Sequence, residues 1–176
     1  FDYPVMAEDL KNFMESQWIY KAIIIGHSMG GKVAMQFAVE YPDMIEKLVV
    51  VDIAPKAYEG GHQLIFEAMF ELDLENLTNR KDIDAQLKIK IPEDGVRLFL
   101  MKNLTRQKDM GYRWKMNLPV IYENYTKILD TIEESETMNE PTLFIRGGLS
   151  GYIADEDMAT IQTLFPQARL ATIASS

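Results

Sequence analysis

The sequence predicts an α/β fold, a parallel sheet carrying a long helical insertion. Three observations predict it. Short apolar runs, Ile23-Ile24-Ile25, Leu48-Val49-Val50-Val51 and residues 142–145, alternate with stretches of helical period, the pattern of strands buried in a parallel sheet. Residues 56–140 then show helical periodicity and no convincing buried strand. Finally, the first apolar run leads straight into Gly26-His27-Ser28-Met29-Gly30, the G-x-S-x-G spacing of a tight strand-to-helix elbow.

Each element has a local reason. Residues 4–16 read as a helix, since Pro4 suits a first turn and Met6, Leu10, Phe13 and Met14 share a face. Residues 20–25 read as a strand. A helix over 29–41 places Val33, Ala34, Phe37, Ala38 and Tyr41 on one side and stops at Pro42. Strands follow at 47–51, ending at Asp52, and at 142–145, ending at Gly147-Gly148. A helix over 155–165 and a strand over 169–173 close the pattern, which argues for parallel strands joined by right-handed crossovers.

Within the insertion, 62–72 aligns Ile65, Met69 and Leu72, while 96–104 carries Leu98, Phe99 and Met101. Residues 118–132 align Ile121, Tyr125, Ile128 and Ile132 as one further helix. So long a connection is expected to be a packed subdomain rather than a loop. The expected organisation is therefore a core of residues 1–55 and 141–176 with a helical cap, or lid, at 56–140. Ligands of α/β sheets bind at the C-terminal strand ends, so the cap is expected there.

Composition excludes several classes. At 176 residues and 47% apolar content the chain can bury a sizeable core. A net charge of −9, spread along the chain, disfavours nucleic acid or an anionic membrane as partner. With no cysteine there is no disulfide, no thiolate metal site and no cysteine nucleophile, which fits a reducing, cytoplasmic location. His27 and His62 have no ligand spacing, so no metal is expected. No apolar run is long enough to span a bilayer, and membrane insertion is not expected. No secretory leader is legible, although the chain opens on Phe1 rather than methionine.

The elbow makes Ser28 a candidate nucleophile, with Gly26 and Gly30 removing side chains that would crowd the turn. Serine needs a base, usually a histidine oriented by a carboxylate. The backbone N–H of Met29, at the helix start, is a candidate oxyanion donor. Asp52 and Asp155 are the two candidate acids. Asp52 is favoured: strand neighbours lie about 4.8 Å apart, so it would emerge beside Ser28. Asp155, with Glu156 and Asp157, suits a helix N-terminus instead. The base is harder to place. His27 precedes the serine and should point away from it, and His62 reads as a surface residue at the start of the cap. Cap residues Ile65, Phe66, Met69, Phe70 and Phe99 are candidates for an apolar substrate pocket or for ordinary packing.

Several stretches together carry a family resemblance. Gly26-His27-Ser28-Met29-Gly30-Gly31-Lys32, Val51-Asp52-Ile53-Ala54-Pro55 and residues 99–104, 114–118 and 144–153 resemble the α/β hydrolases. Within them the chain is similar to the YbfF-type acyl esterases and their mitochondrial abhydrolase-domain relatives. The resemblance implies hydrolysis of short- or medium-chain acyl esters or thioesters, without a cofactor, through an acyl-enzyme on Ser28 with Asp52 as acid. It implies that the chain corresponds to the fifth to eighth sheet strands plus cap, with earlier strands before Phe1. The catalytic histidine is then expected just past Ser175 and Ser176, and the chain alone is expected to be nearly inactive. A non-catalytic hydrolase-like binding module, a cofactor-free carbon–carbon hydrolase and an acyltransferase remain alternative readings.

Overall fold

A computed structural model describes residues 1–108, 111–133 and 136–174. Ser175 and Ser176 lie outside the described residues. The chain folds as two compact units, residues 1–58 with 127–176 and residues 59–126.

In the first unit, α1 (Tyr3–Ser16), β1 (Ala22–His27), α2 (Met29–Glu40) and β2 (Ile45–Val51) precede the insertion, and β5 (Thr142–Gly147), α8 (Asp157–Leu164) and β6 (Ala168–Ile173) follow it. The strands form a parallel sheet in the order β1-β2-β5-β6. Asp2 starts α1 by accepting the Val5 N–H at 3.2 Å, with proline in the first turn. Helix α2 buries Ala34, Met35, Phe37, Ala38 and Val39 in a core shared with Leu48, Val50 and Phe144. Burying a large apolar side chain contributes about 1.5–3 kcal/mol, so this face dominates the unit's stability.

Strand β1 is the first of the four strands described; Ile24 meets the core, while Ile23 and Ile25 are 49% and 70% exposed among the described residues.

The second unit contains α3 (Gln63–Phe70), α4 (Arg80–Leu87), α5 (Asp94–Met101) and α6 (Leu118–Glu123), with β3 (Leu104–Arg106) paired antiparallel to β4 (Tyr112–Trp114). Its core gathers Phe66, Met69, Ile83, Leu87, Leu100, Met101 and Leu118. Gly111 has φ +33°, and a Cβ there would stand 2.1 Å from the Leu74 carbonyl oxygen. Only glycine fits that approach. The β3–β4 ladder is too short to show a period-two pattern in the sequence.

The single helix expected over 118–132 is broken. Asn124 ends α6 and turns its side-chain amide back onto the Val120 carbonyl at 2.9 Å; α7 (Tyr125–Leu129) begins next. Residues 130–133 and 136–140 are not helical, and Ile132 and Met138 sink into the core of the parallel sheet. The second compact unit thus ends at Thr126 rather than at the expected 140, because those two side chains belong to the first unit's core.

Candidate active site

The elbow is built from close backbone contact. A Cβ on Gly26 would stand 2.3 Å from the Gly30 carbonyl oxygen, and one on Gly31 would stand 2.6 Å from Ile53 Cγ2. Among the described residues nothing lies within 4 Å of a Cβ on Gly30. The expectation that Gly26 and Gly30 both relieve crowding therefore changes: Gly26 faces α2 from β1, and Gly31 faces Ile53 beyond β2. At the apex Ser28 has φ 52° and ψ −124°, a backbone conformation that L residues avoid and that costs about 1–3 kcal/mol. The surrounding hydrogen bonds hold it there: its N–H donates to the Val51 carbonyl at 3.0 Å, and its carbonyl accepts from the N–H groups of Gly31 at 2.8 Å and Lys32 at 3.2 Å.

Met29 opens α2, so its N–H is one of the first-turn amides with no intrahelical acceptor. It points along the positive end of the helix dipole. This is the local arrangement that an oxyanion donor requires.

Asp52 occupies the corresponding position on the next strand, since His27 and Val51 are register partners. Its φ is 56°, positive like that of Ser28. Its N–H donates to the Ile145 carbonyl at 2.8 Å, as the Gly148 N–H does to Ile173 at 2.8 Å. The ladder thus continues past the strand ends and brings three strand-end turns to one sheet edge.

The Asp52 carboxylate is held from the turn after β5. Oδ1 accepts from the Gly147 N–H at 3.3 Å, and Oδ2 accepts from the Ser150 hydroxyl at 2.9 Å. In sequence that turn carries no carboxylate and lies in a stretch of family resemblance, but nothing local marks Ser150 as a donor to Asp52. The one available signal is a hydroxyl residue in a glycine turn two strands from the serine.

The other candidates go elsewhere. Asp155 is exposed and pairs with Arg146 Nη2 at 2.6 Å. The helix start is served by Asp157, whose Oδ2 accepts from the Ala154 N–H at 2.8 Å. His27 is exposed at the end of β1. His62 lies in the second unit, with Nδ1 2.5 Å from the Tyr125 hydroxyl. Among the described residues, neither imidazole is hydrogen-bonded to Ser28 or Asp52. Phe66 is buried edge-on against Tyr122 and Tyr125, and Met69 is buried in the same core, whereas Phe99 is 60% exposed.

A nucleophile-type elbow at the end of one parallel strand, with a held carboxylate at the end of the next, is a constellation with relatives. The alpha/beta hydrolase fold family matches residues 1–176. The chain belongs to that family. It is 40% identical over 97% of its length to the sn-1-specific diacylglycerol lipase ABHD11 of Danio rerio, covering 56% of that protein. It is 36% identical over 99% of its length to the esterase YbfF of Escherichia coli (strain K12), covering 67% of it. Among solved structures, a marine microorganism esterase superposes with a TM-score of 0.94 and 41% identity, covering 98% of this chain and 69% of that one. This α/β hydrolase chain thus spans between about half and two thirds of these relatives. No helix among its described residues is long and apolar enough to cross a membrane.

Proposed function

We propose that the protein is a serine esterase that hydrolyses short- or medium-chain acyl esters or thioesters through an acyl-enzyme on Ser28. The observation that carries the reading is the pairing of two residues of positive φ, Ser28 and Asp52, on adjacent strand ends, with the Asp52 carboxylate already fixed by two donors. Strain of this kind persists only where the surroundings impose it, and it favours a catalytic reading over a binding module.

In the first half-reaction Ser28 Oγ attacks the acyl carbonyl carbon and its proton passes to a histidine. That histidine is the residue the family resemblance places after Ser176. Asp52 holds the imidazole and balances its charge, and the Met29 N–H binds the developing oxyanion. The ester C–O or thioester C–S bond then breaks, and the leaving alcohol or thiol takes the proton. Water attacks the acyl-enzyme by the same route in reverse and releases the acid. No metal or cofactor enters the scheme. The similarity to a diacylglycerol lipase makes glycerolipid esters a further substrate class worth including.

The inserted helical unit is the cap in this reading, with exposed Phe99 as apolar surface for an acyl chain. The test is fluorophosphonate labelling of the full-length protein, followed by an ester and thioester series of increasing chain length. Labelling lost in Ser28→Ala supports the assignment; labelling unchanged in that variant refutes it.

A further inference from the structure

Lys32 stands out among the groups that the proposed reaction does not use. It lies on α2 one turn beyond the elbow and is only 1% exposed. Its ammonium is satisfied by backbone rather than by a carboxylate: Nζ donates to the Leu129 carbonyl at 3.2 Å and to the Asp130 carbonyl. The rings of Tyr58 and Tyr3 face it at 4.8 Å and 5.5 Å. A buried ammonium is expensive to keep, and an apolar chain of the same length would fill the space at lower cost.

Its partners share a location. The chain leaves the first unit after Tyr58 and returns at Lys127, so Tyr58, Leu129 and Asp130 all sit at these two crossings. The crossings are also tied to each other and to α1. The Tyr58 N–H donates to the Leu129 carbonyl at 2.8 Å, the Thr131 hydroxyl to the Pro55 carbonyl at 3.0 Å, and the Tyr3 hydroxyl to the Ile128 carbonyl at 2.5 Å. The Tyr58 hydroxyl accepts from the Ala54 N–H at 2.7 Å and donates to the Tyr152 carbonyl at 2.7 Å. At the other end of the same residue, the Lys32 backbone N–H donates to the Ser28 carbonyl at 3.2 Å. One residue therefore touches both the elbow and the neck formed by the two crossings.

We infer that Lys32 is a positioning residue: it clasps the neck, where the chain leaves and re-enters the first unit, to the helix that carries Ser28, so that the neck cannot move independently of the elbow. Its catalytic consequence rests on the reading of Ser28 as nucleophile. A loose neck leaves the attacking atom and the Met29 N–H in place and degrades the holding of substrate. The loss falls on KM rather than on kcat.

The experiment is hydrogen–deuterium exchange and ester kinetics on the full-length protein carrying Lys32→Met, with Lys32→Arg as the charge-keeping variant. In Lys32→Met, exchange across residues 54–60 and 127–133 is expected to quicken about 10-fold or more while β2 and β5 stay protected. KM is expected to rise about 10-fold with kcat within about 2-fold, and Lys32→Arg to recover part of both changes. A neck as protected as in the parent, or a loss of protection spread evenly over the sheet, overturns the clasp.

Should Lys32→Met fail to fold, exchange of the unsubstituted protein in low denaturant decides the matter. Opening of the Tyr58 amide in the same step as α2 supports the clasp, and opening ahead of α2 overturns it. A parent protein that takes no fluorophosphonate overturns the esterase reading and the catalytic consequence together, while the exchange result still decides the clasp.

Discussion

Ser28 and Asp52 both have positive φ, 52° and 56°, at the ends of neighbouring strands. For Ser28 the conformation sits at the apex of the elbow, above the sheet edge. For Asp52 it accompanies a carboxylate turned toward the β5 turn, where Gly147 and Ser150 meet it. An asparagine at this position would keep an acceptor for Gly147 and bring an amide that can donate to Ser150, so the loop should survive the change. Asp52→Asn is therefore expected to cost about 10³–10⁴ in kcat on acyl esters while leaving the melting temperature nearly unchanged, because a neutral amide no longer holds the histidine in the required tautomer. Steady-state kinetics beside a thermal melt checks this. Lys32 adds a pH dependence of stability. Burial lowers its ammonium to about 8, against an ordinary 10.5, with Asp130 partly opposing. Between those values the unfolded chain holds a proton that the folded chain has released, so this group's contribution to stability rises with pH. The tyrosines facing it act in the opposite sense above about pH 10, since burial raises both, Tyr58 to about 12. From about pH 8 to 10 the unfolding free energy of the parent should thus rise relative to that of Lys32→Met, as measured by urea unfolding at each pH. A gap independent of pH in that window would contradict this.

At the scale of elements, the elbow is a contact between β1 and α2 mediated by glycine. Gly26→Ala drives a methyl into the Gly30 carbonyl and is expected to cost about 2–3 kcal/mol. Gly30→Ala meets no atom of the described residues on its helix and is expected to be neutral or to stabilise by about 0.5 kcal/mol. Denaturant unfolding of the two variants separates these outcomes. The elbow, the parallel strands and Asp52 are legible in the sequence because each has a local signature, a glycine spacing or an unbroken β-branched run. The β3–β4 ladder and the Asn124 break carry too few residues to shift a periodicity. Ser150 and Lys32 act through contacts far away in sequence, Asp52 and Leu129–Asp130, which no local pattern encodes.

At the scale of the molecule, two cores divide the work. The first packs α1, α2 and α8 with the parallel sheet; the second closes the inserted unit on itself. Phe66 and Met69 are placed in that second core, so the sequence pattern that admits them as pocket residues or as packing is accounted for by packing. Phe99 is exposed on α5 and takes no part in that core; its contact with an acyl chain is the proposal. Met69→Ala should therefore destabilise the inserted unit by about 2–5 kcal/mol. Phe99→Ala should change stability by less than about 0.5 kcal/mol and reduce kcat/KM most for the longer acyl chains. Unfolding curves and a chain-length series on the same two proteins distinguish the roles.

Every catalytic role proposed for these residues depends on Ser28 being an activated nucleophile. Intact-mass analysis of the full-length protein after fluorophosphonate treatment measures this directly. The prediction is a single adduct on Ser28, absent in Ser28→Ala and slowed in Asp52→Asn. An unlabelled parent, or an adduct that persists when Ser28 is replaced by alanine, would contradict it.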